Sequence, residues 1–281
     1  MTVAIVTDSG SDLTPTQLGE GKIRQVPLSV SFGDRSYMSP DELTPEDFWR
    51  ELLVPGCPFP HTAAPSAGQF KHTFEDAFAA GADCVVCVCL GGKFSATLGS
   101  AQIAKEMLPG KPIDLVDSRS ASLATGALAM RGARLAAEGV SAATIVEQLE
   151  RVRERTTLFV VLETLEYLRK GGRISHARAA LGGLLSVKPI ITVDDGLVIA
   201  ADQPRTRAKA RERLLELISA HPVEELHIMY SPPADAAAFR DEVLPCLPGP
   251  APTRVTSQVI GPVIGAHIGP GAYGAVLVLA E

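Results

Sequence analysis

The sequence predicts an α/β protein of two domains, an N-terminal domain built on a parallel sheet and a C-terminal α+β domain. Three observations carry this reading. Apolar runs of strand length alternate with helix-length segments over the first 160 residues or so, the signature of a parallel sheet. That rhythm breaks after the run at 159–162. Beyond it, Asp194-Asp195-Gly196 sits between two apolar runs and is a strong hairpin signal.

The elements follow in order. Residues 3–7 form a first strand ending in the polar turn Asp8-Ser9-Gly10-Ser11-Asp12. Thr14, Pro15 and Gln17 make a helix start, with Thr as cap, Pro in the first turn and Gln completing a capping box. The run 26–32 reads as a second strand. Thr44-Pro45-Glu46-Asp47 repeats the helix-start chemistry, and a Pro-rich connection spans 55–65. Ser66 and Gln69 form another capping box for a helix to about residue 80. The run 84–90 is apolar throughout, the pattern of a strand buried on both faces. A helix near 100–107, a strand at 113–116 and helices at 121–137 and 141–155 complete the first half. In such sheets ligands gather at the carboxyl ends of the strands, which places the loops carrying Asp8, Thr62, Ser95 and Asp117 together on that side.

In the second half, residues 165–170 read as a short helix closed by Gly171-Gly172, with basic residues in its last turn. Residues 174–185 are small and apolar. Strands at 188–193 and 197–201 flank the Asp-Gly turn. A helix at 207–220, a strand at 226–231, a helix near 234–244 and strands at 253–260 and 274–280 follow, with the domain boundary near 157–165.

Composition excludes several functions. A net charge of −6 leaves no electrostatic footprint for nucleic acid. No apolar run approaches the roughly 18 residues that span a bilayer, so stable membrane insertion is not expected. The N-terminus lacks a charged leader and reads directly as a strand, which predicts a cytoplasmic protein. Five cysteines in a chain of this length imply reduced thiols. A monomer is expected.

Enzyme signatures are also weak. Gly92-Lys93 and Gly110-Lys111 lack the rest of a phosphate-binding loop. Gly269-Pro270-Gly271-Ala272-Tyr273-Gly274 fits a dinucleotide fingerprint but leaves no room for the helix that must follow it. Cys84, Cys87 and Cys89 stand in an apolar strand, where Cys87 and Cys89 share a face, and read as buried thiols, not metal ligands. The basic run from Arg205 to Arg213 reads as the solvated face of a helix starting near Thr206, with docking of an acidic partner as the alternative. His267 lies between Gly265 and Gly269, on what reads as irregular backbone that can approach a ligand closely. It is either a structural histidine or a functional one. Arg173 is either a helix-end cation or an anion-binding residue. These signals establish small-ligand binding at a two-domain cleft.

Seven stretches in register then resemble the DegV family of bacterial fatty-acid-binding proteins. They are Thr7-Asp8-Ser9-Gly10-Ser11-Asp12-Leu13, Thr62-Ala63-Ala64-Pro65-Ser66, Phe94-Ser95-Ala96-Thr97 with Ser100-Ala101, and Val116-Asp117-Ser118. The others are Leu165 to Ile174, Lys188-Pro189-Ile190 and His267 to Ala272. The resemblance implies a binding subunit of a fatty acid kinase. It would hold one long-chain fatty acid in a tunnel between the domains while a separate ATP-binding kinase subunit phosphorylates the carboxylate, and the acyl phosphate would feed phospholipid synthesis. Thr62 and Ser95 would hydrogen-bond the carboxylate, with Arg173 and His267 close by. Residues 1–160 would bind the head group and 161–281 would cover the acyl chain. No catalytic residue, metal or cofactor is implied in this chain. Two departures stand out: Ala63-Ala64 replace the family's usual Ser-Gln, and Ala96 replaces a glycine. The alternative reading is an enzyme or sensor for another small carboxylate, with His267 as acid/base.

Overall fold

The chain enters its first sheet at β1 (Val3–Asp8) and leaves its last at β13 (Tyr273–Leu279) in a computed structural model that describes residues 1–174, 187–234 and 236–281. Between them lie α1 (Pro15–Gly21), β2 (Arg24–Val26), β3 (Leu28–Phe32), β4 (Arg35–Ser39), α2 (Pro45–Leu52), β5 (Pro60–Ala63) and α3 (Ala67–Ala79). Then come β6 (Cys84–Cys89), α4 (Thr97–Glu106), β7 (Ile113–Asp117), α5 (Leu123–Ala137), α6 (Ala142–Glu154) and β8 (Thr156–Val161). The described remainder holds α7 (Glu166–Lys170), β9 (Ile190–Asp194), β10 (Leu197–Asp202), α8 (Arg207–Ile218), β11 (Val223–Tyr230), α9 (Ala236–Val243), β12 (Arg254–Val259) and α10 (Pro262–Ile268). The apolar stretch predicted at 174–185 falls almost wholly outside the described residues.

Contacts divide the chain into two units. One holds Met1–Leu43 and Thr62–Glu154, the other Thr44–His61 and Arg155–Glu281. The second unit combines the segment 44–61 with the C-terminal residues. That segment belongs with the C-terminal residues for a physical reason. The Trp49 indole Nε1 donates to the Ile260 carbonyl at 2.8 Å, and Phe48 and Trp49 pack on the bare backbone of Gly265.

In the first unit, four parallel strands run in the order β2-β1-β6-β7. One face carries Val6, Val85, Cys87 and Cys89 against Phe70 and Phe74 of α3 and Ala101 and Ala104 of α4. Each fully buried phenylalanine contributes about 1.5–3 kcal/mol. On the other face Ile5 meets α5 and α6 at Gly132 and Leu149. The predicted capping boxes are present: Thr14 Oγ1 accepts from Gln17 N, and Ser66 Oγ accepts from Gln69 N. The predicted single strand at 26–32 is instead two. Pro27 has no N–H to continue a ladder, so β2 ends in the parallel sheet and β3 turns away to pair with β4. Gly33, at φ 57°, makes the tight turn between them.

The second unit contains a six-stranded mixed sheet, β10-β9-β8-β13-β11-β12. Only β11 and β12 pair in parallel; the other neighbours are antiparallel, as an α+β domain requires. Leu226, Ile228, Ala275 and Leu277 pack against Ala210, Leu214 and Ile218 of α8 and Phe239 and Val243 of α9. Thr206 caps α8 by accepting from Lys209 N, as the sequence predicts. Its basic run is largely engaged: Arg207 pairs with Glu163, Arg211 with Glu242, and Arg213 with Asp202.

Candidate functional site

The first unit presents a polar rim at the carboxyl ends of its parallel strands. At the end of β1, the buried Asp8 carboxylate accepts from the backbone N–H of Gly10 (2.8 Å) and of Leu90 (2.7 Å). Burial pushes its pKa up to about 6, against the opposing pull of those two hydrogen bonds. At the end of β7, Asp117 Oδ1 accepts from the N–H of Gly92 and Arg119, tying the β6 and β7 loops together. Gly91 must be glycine, because a Cβ there would stand 2.9 Å from the Phe94 ring and 3.0 Å from Ser120 N.

Ser95 sits at the start of α4, half-buried, with its Oγ 2.8 Å from Thr97 Oγ1 and accepting from Thr97 N at 3.3 Å. Its hydroxyl is therefore held in place by the turn that starts the helix. Ala96 caps that helix in ordinary right-handed conformation, φ −72°. An alanine carries no backbone strain there. Thr62 is half-buried on β5, next to the exposed Ala63.

The second unit holds Arg173 and His267, and it brings them together. α7 ends at Gly171-Gly172, where Gly172 takes φ 74° and lets Arg173 N return to the Leu168 carbonyl. The Arg173 guanidinium then folds back and donates from Nη1 to the Gly171 carbonyl at 2.6 Å. The same glycine faces the His267 imidazole: a Cβ on Gly171 would overlap Nδ1 and stand 3.0 Å from Cε1.

His267 is not on irregular backbone, as its flanking glycines predict, but in the last turn of α10. Gly265 lies inside that helix, and Gly261 and Gly269 mark its ends. Gly261 is the N-cap before Pro262, and Gly269, at φ 73°, returns its N–H to the Gly265 carbonyl. A Cβ on Gly269 would lie 2.6 Å from Tyr167 Cε2, so α7 and α10 approach through two side-chain-free backbones. The following turn is anchored by the buried Ser231, whose Oγ donates to Gly269 O and accepts from Ala272 N. The glycine-rich stretch thus seats a histidine helix; it is not a nucleotide fingerprint.

Burial lowers the His267 pKa to about 4, with Arg173 and then His61 pushing in the same direction. His61 is a neighbour that sequence reasoning passed over inside a Pro-rich connection. Its ring meets Phe59 edge-on at 5.6 Å, Phe59 lies 5.5 Å from Tyr167, and Lys170 Nζ sits 5.2 Å above Phe59. Behind this aromatic row a depression of about 290 Å³ opens among Leu52, Val54, Cys57, Phe59, Tyr167 and Lys170. The Lys188-Pro189-Ile190 stretch has a structural role in the same unit. Burial alone would raise the pKa of Glu163, but hydrogen bonds from Lys188 (2.6 Å) and Arg207 (3.0 Å) win and hold it low. No cluster of three metal-binding side chains occurs among the described residues. No helix among them is long and apolar enough to cross a membrane.

The chain thus joins a parallel-sheet unit with a hydroxyl-bearing rim to a mixed-sheet unit with an Arg–His pair. A sequence model of the DegV family, described as uncharacterised protein, matches residues 2–280, and the chain belongs to that family. A DegV domain-containing protein of Halalkalibacterium halodurans is 33% identical over 277 residues, which cover 97% of this chain and 96% of the relative. Among solved structures, a DegV family protein from Thermus thermophilus, described for its fatty acid binding, superposes with a TM-score of 0.91 at 35% identity, covering 100% of both chains. A stearic acid-binding protein from Eubacterium ventriosum superposes at 0.87 with 28% identity, covering 99% of this chain and 98% of that one.

Proposed function

We propose that this protein binds one long-chain fatty acid and presents its carboxylate to a separate ATP-dependent kinase subunit, which forms the acyl phosphate destined for phospholipid synthesis. The chain itself supplies no catalytic group in this reading. The observation that carries it is the Arg173–Gly171–His267 arrangement, a guanidinium and an imidazole gathered at one glycine. A carboxylate taken from water needs compensating charge and directional donors. Arg173 supplies the charge, and the hydroxyls of Thr62 and Ser95 supply donors. The fatty-acid ligands of the Thermus and Eubacterium proteins support the ligand class.

The acyl chain dominates affinity. At ~0.8 kcal/mol per buried CH₂, a sixteen-carbon tail contributes on the order of 12 kcal/mol gross, while the head group fixes orientation. Orientation matters because phosphoryl transfer depends on positioning and electrostatics. The test is mass spectrometry of organic extracts from purified protein, followed by reconstitution with a kinase subunit. A stoichiometric long-chain fatty acid that becomes phosphorylated supports the reading. A protein that carries none and takes up none returns the site to a small-carboxylate enzyme or sensor.

A further inference from the structure

Two segments of the second unit meet through a row of three contacts, and a glycine stands on one side of each. A Cβ on Gly271 would lie 2.7 Å from Glu163 Cγ, one on Gly269 2.6 Å from Tyr167 Cε2, and one on Gly171 3.0 Å from His267 Cε1. The two segments run in opposite directions. Positions 163, 167 and 171 advance by four, about one helical turn each, while 271, 269 and 267 retreat by two. The second segment is anchored at the end of β11, where Ser231 Oγ donates to Gly269 O and Gly271 N donates to Pro232 O at 2.9 Å. The first begins in the connection between β8 and α7. There Leu162 N donates to Pro189 O, and the Glu163 carboxylate gathers Lys188 Nζ at 2.6 Å and Arg207 Nε at 2.9 Å. Lys188 Nζ also donates to the Glu163 carbonyl at 3.3 Å.

Glu163 is thus the far end of a row whose near end is the His267 ring, on the segment that goes on to carry Arg173. Backbone on one side of each contact cannot swing aside as a side chain can, and close-packed interiors transmit strain. The two cations hold the Glu163 side chain in the orientation that puts its Cγ on Gly271. Arg207 opens α8 and Lys188 precedes β9, so one carboxylate ties both elements to the row. We propose that Glu163 is a positioning residue for the head-group site. Through the Tyr167–Gly269 contact it sets how α7 and α10 meet, and so where the Arg173 guanidinium and the His267 imidazole stand. The proposal rests on the fatty-acid reading above and deepens it, adding a residue that acts on the head group only through others.

The test compares Glu163→Ala, Glu163→Gln and Asp202→Ala in the full chain. Asp202→Ala removes an ion pair to α8 (Arg213, 2.7 Å) that lies outside the row, so it reports the loss of a salt bridge alone. Palmitate affinity is measured by calorimetry on delipidated protein. The His267 ring signals are read by NMR of ¹³C-histidine-labelled protein and assigned with His267→Gln. Glu163→Ala is expected to lower affinity roughly three- to thirtyfold and to move the His267 ring signals, while Asp202→Ala changes neither. Glu163→Gln keeps Cγ on Gly271 and one acceptor oxygen, and its effects should fall between. Should Glu163→Ala not fold, Glu163→Gln against Asp202→Ala decides. Affinity and ring signals that stay at wild-type values in the Glu163 variants overturn the proposal, and so do equal changes in Asp202→Ala. A wild-type protein that takes up no palmitate overturns the fatty-acid reading, and the ring signals of the empty proteins then decide by themselves whether Glu163 positions His267.

Discussion

The backbone of Gly171 lies flush against the imidazole of His267, so closely that no side chain fits between them. This contact links the end of α7 to the end of α10 and gives the lysine-glycine-glycine-arginine stretch a steric purpose. Gly171→Ala should therefore displace the His267 ring or the α7 turn. Overpacking of this kind typically costs about 1–3 kcal/mol. The expected outcome is a lower melting temperature together with weakened palmitate binding. His267→Ala in the same chain should restore much of the stability but not the binding. Thermal melts of the two variants, with palmitate titrations, check both halves.

A second contact decides where the segment 44–61 belongs. Trp49→Phe keeps most of the buried ring but deletes the donor to the Ile260 carbonyl. Leaving a buried carbonyl unpaired costs about 1–3 kcal/mol. The expected signature is local, with faster amide hydrogen exchange in residues 44–61 than in β1 or β6. Equal acceleration in all three would show that this hydrogen bond does not hold the segment in the second unit.

These two contacts also show why parts of the molecule were legible in sequence and parts were not. The capping boxes at Thr14–Gln17 and Ser66–Gln69 are local, three residues apart, and both formed as read. The run Cys84–Cys89 is buried on both faces because a parallel strand covered by helices must be. β4 escaped notice because its residues are polar and mostly exposed, although Gly33-Asp34 carried a turn signal. The glycines around His267 do not bend a loop: Gly265 lies inside α10, where Phe48 and Trp49 pack on it, and Gly269 ends the helix. His61 had no local signal at all. Its proximity to His267 comes from segments two hundred residues apart, and neither periodicity nor capping chemistry encodes that pairing.

The hydroxyl assignments of Thr62 and Ser95 make a quantitative prediction. A hydrogen bond to a charged group contributes about 1.5–3 kcal/mol, so Ser95→Ala and Thr62→Ala should each weaken palmitate binding by roughly tenfold or more. Ser95 also accepts from Thr97 N, so circular dichroism should first show that α4 survives the substitution. Undiminished affinity and undiminished transfer to a kinase subunit in Ser95→Ala would remove Ser95 from the head-group site.

Asp8 predicts a pH dependence of stability unrelated to ligand. Its folded pKa of about 6 lies above the unfolded value near 3.8. The folded state therefore holds the proton more tightly, and the resulting stabilisation is fully present below the unfolded value. It declines as pH rises through about 4 to 6 and is gone above that window. A shift of this size corresponds to about 3 kcal/mol as an order of magnitude. Asp8→Asn cannot titrate, and its amide can accept from only one of Gly10 and Leu90 while its NH₂ faces the other N–H. The variant should be less stable than wild type throughout, with a gap that is widest near pH 4 and narrows towards pH 7. Urea unfolding of both proteins across that range measures the gap, and a gap that widened with pH would mean that Asp8 is ionised in the folded protein well below pH 6.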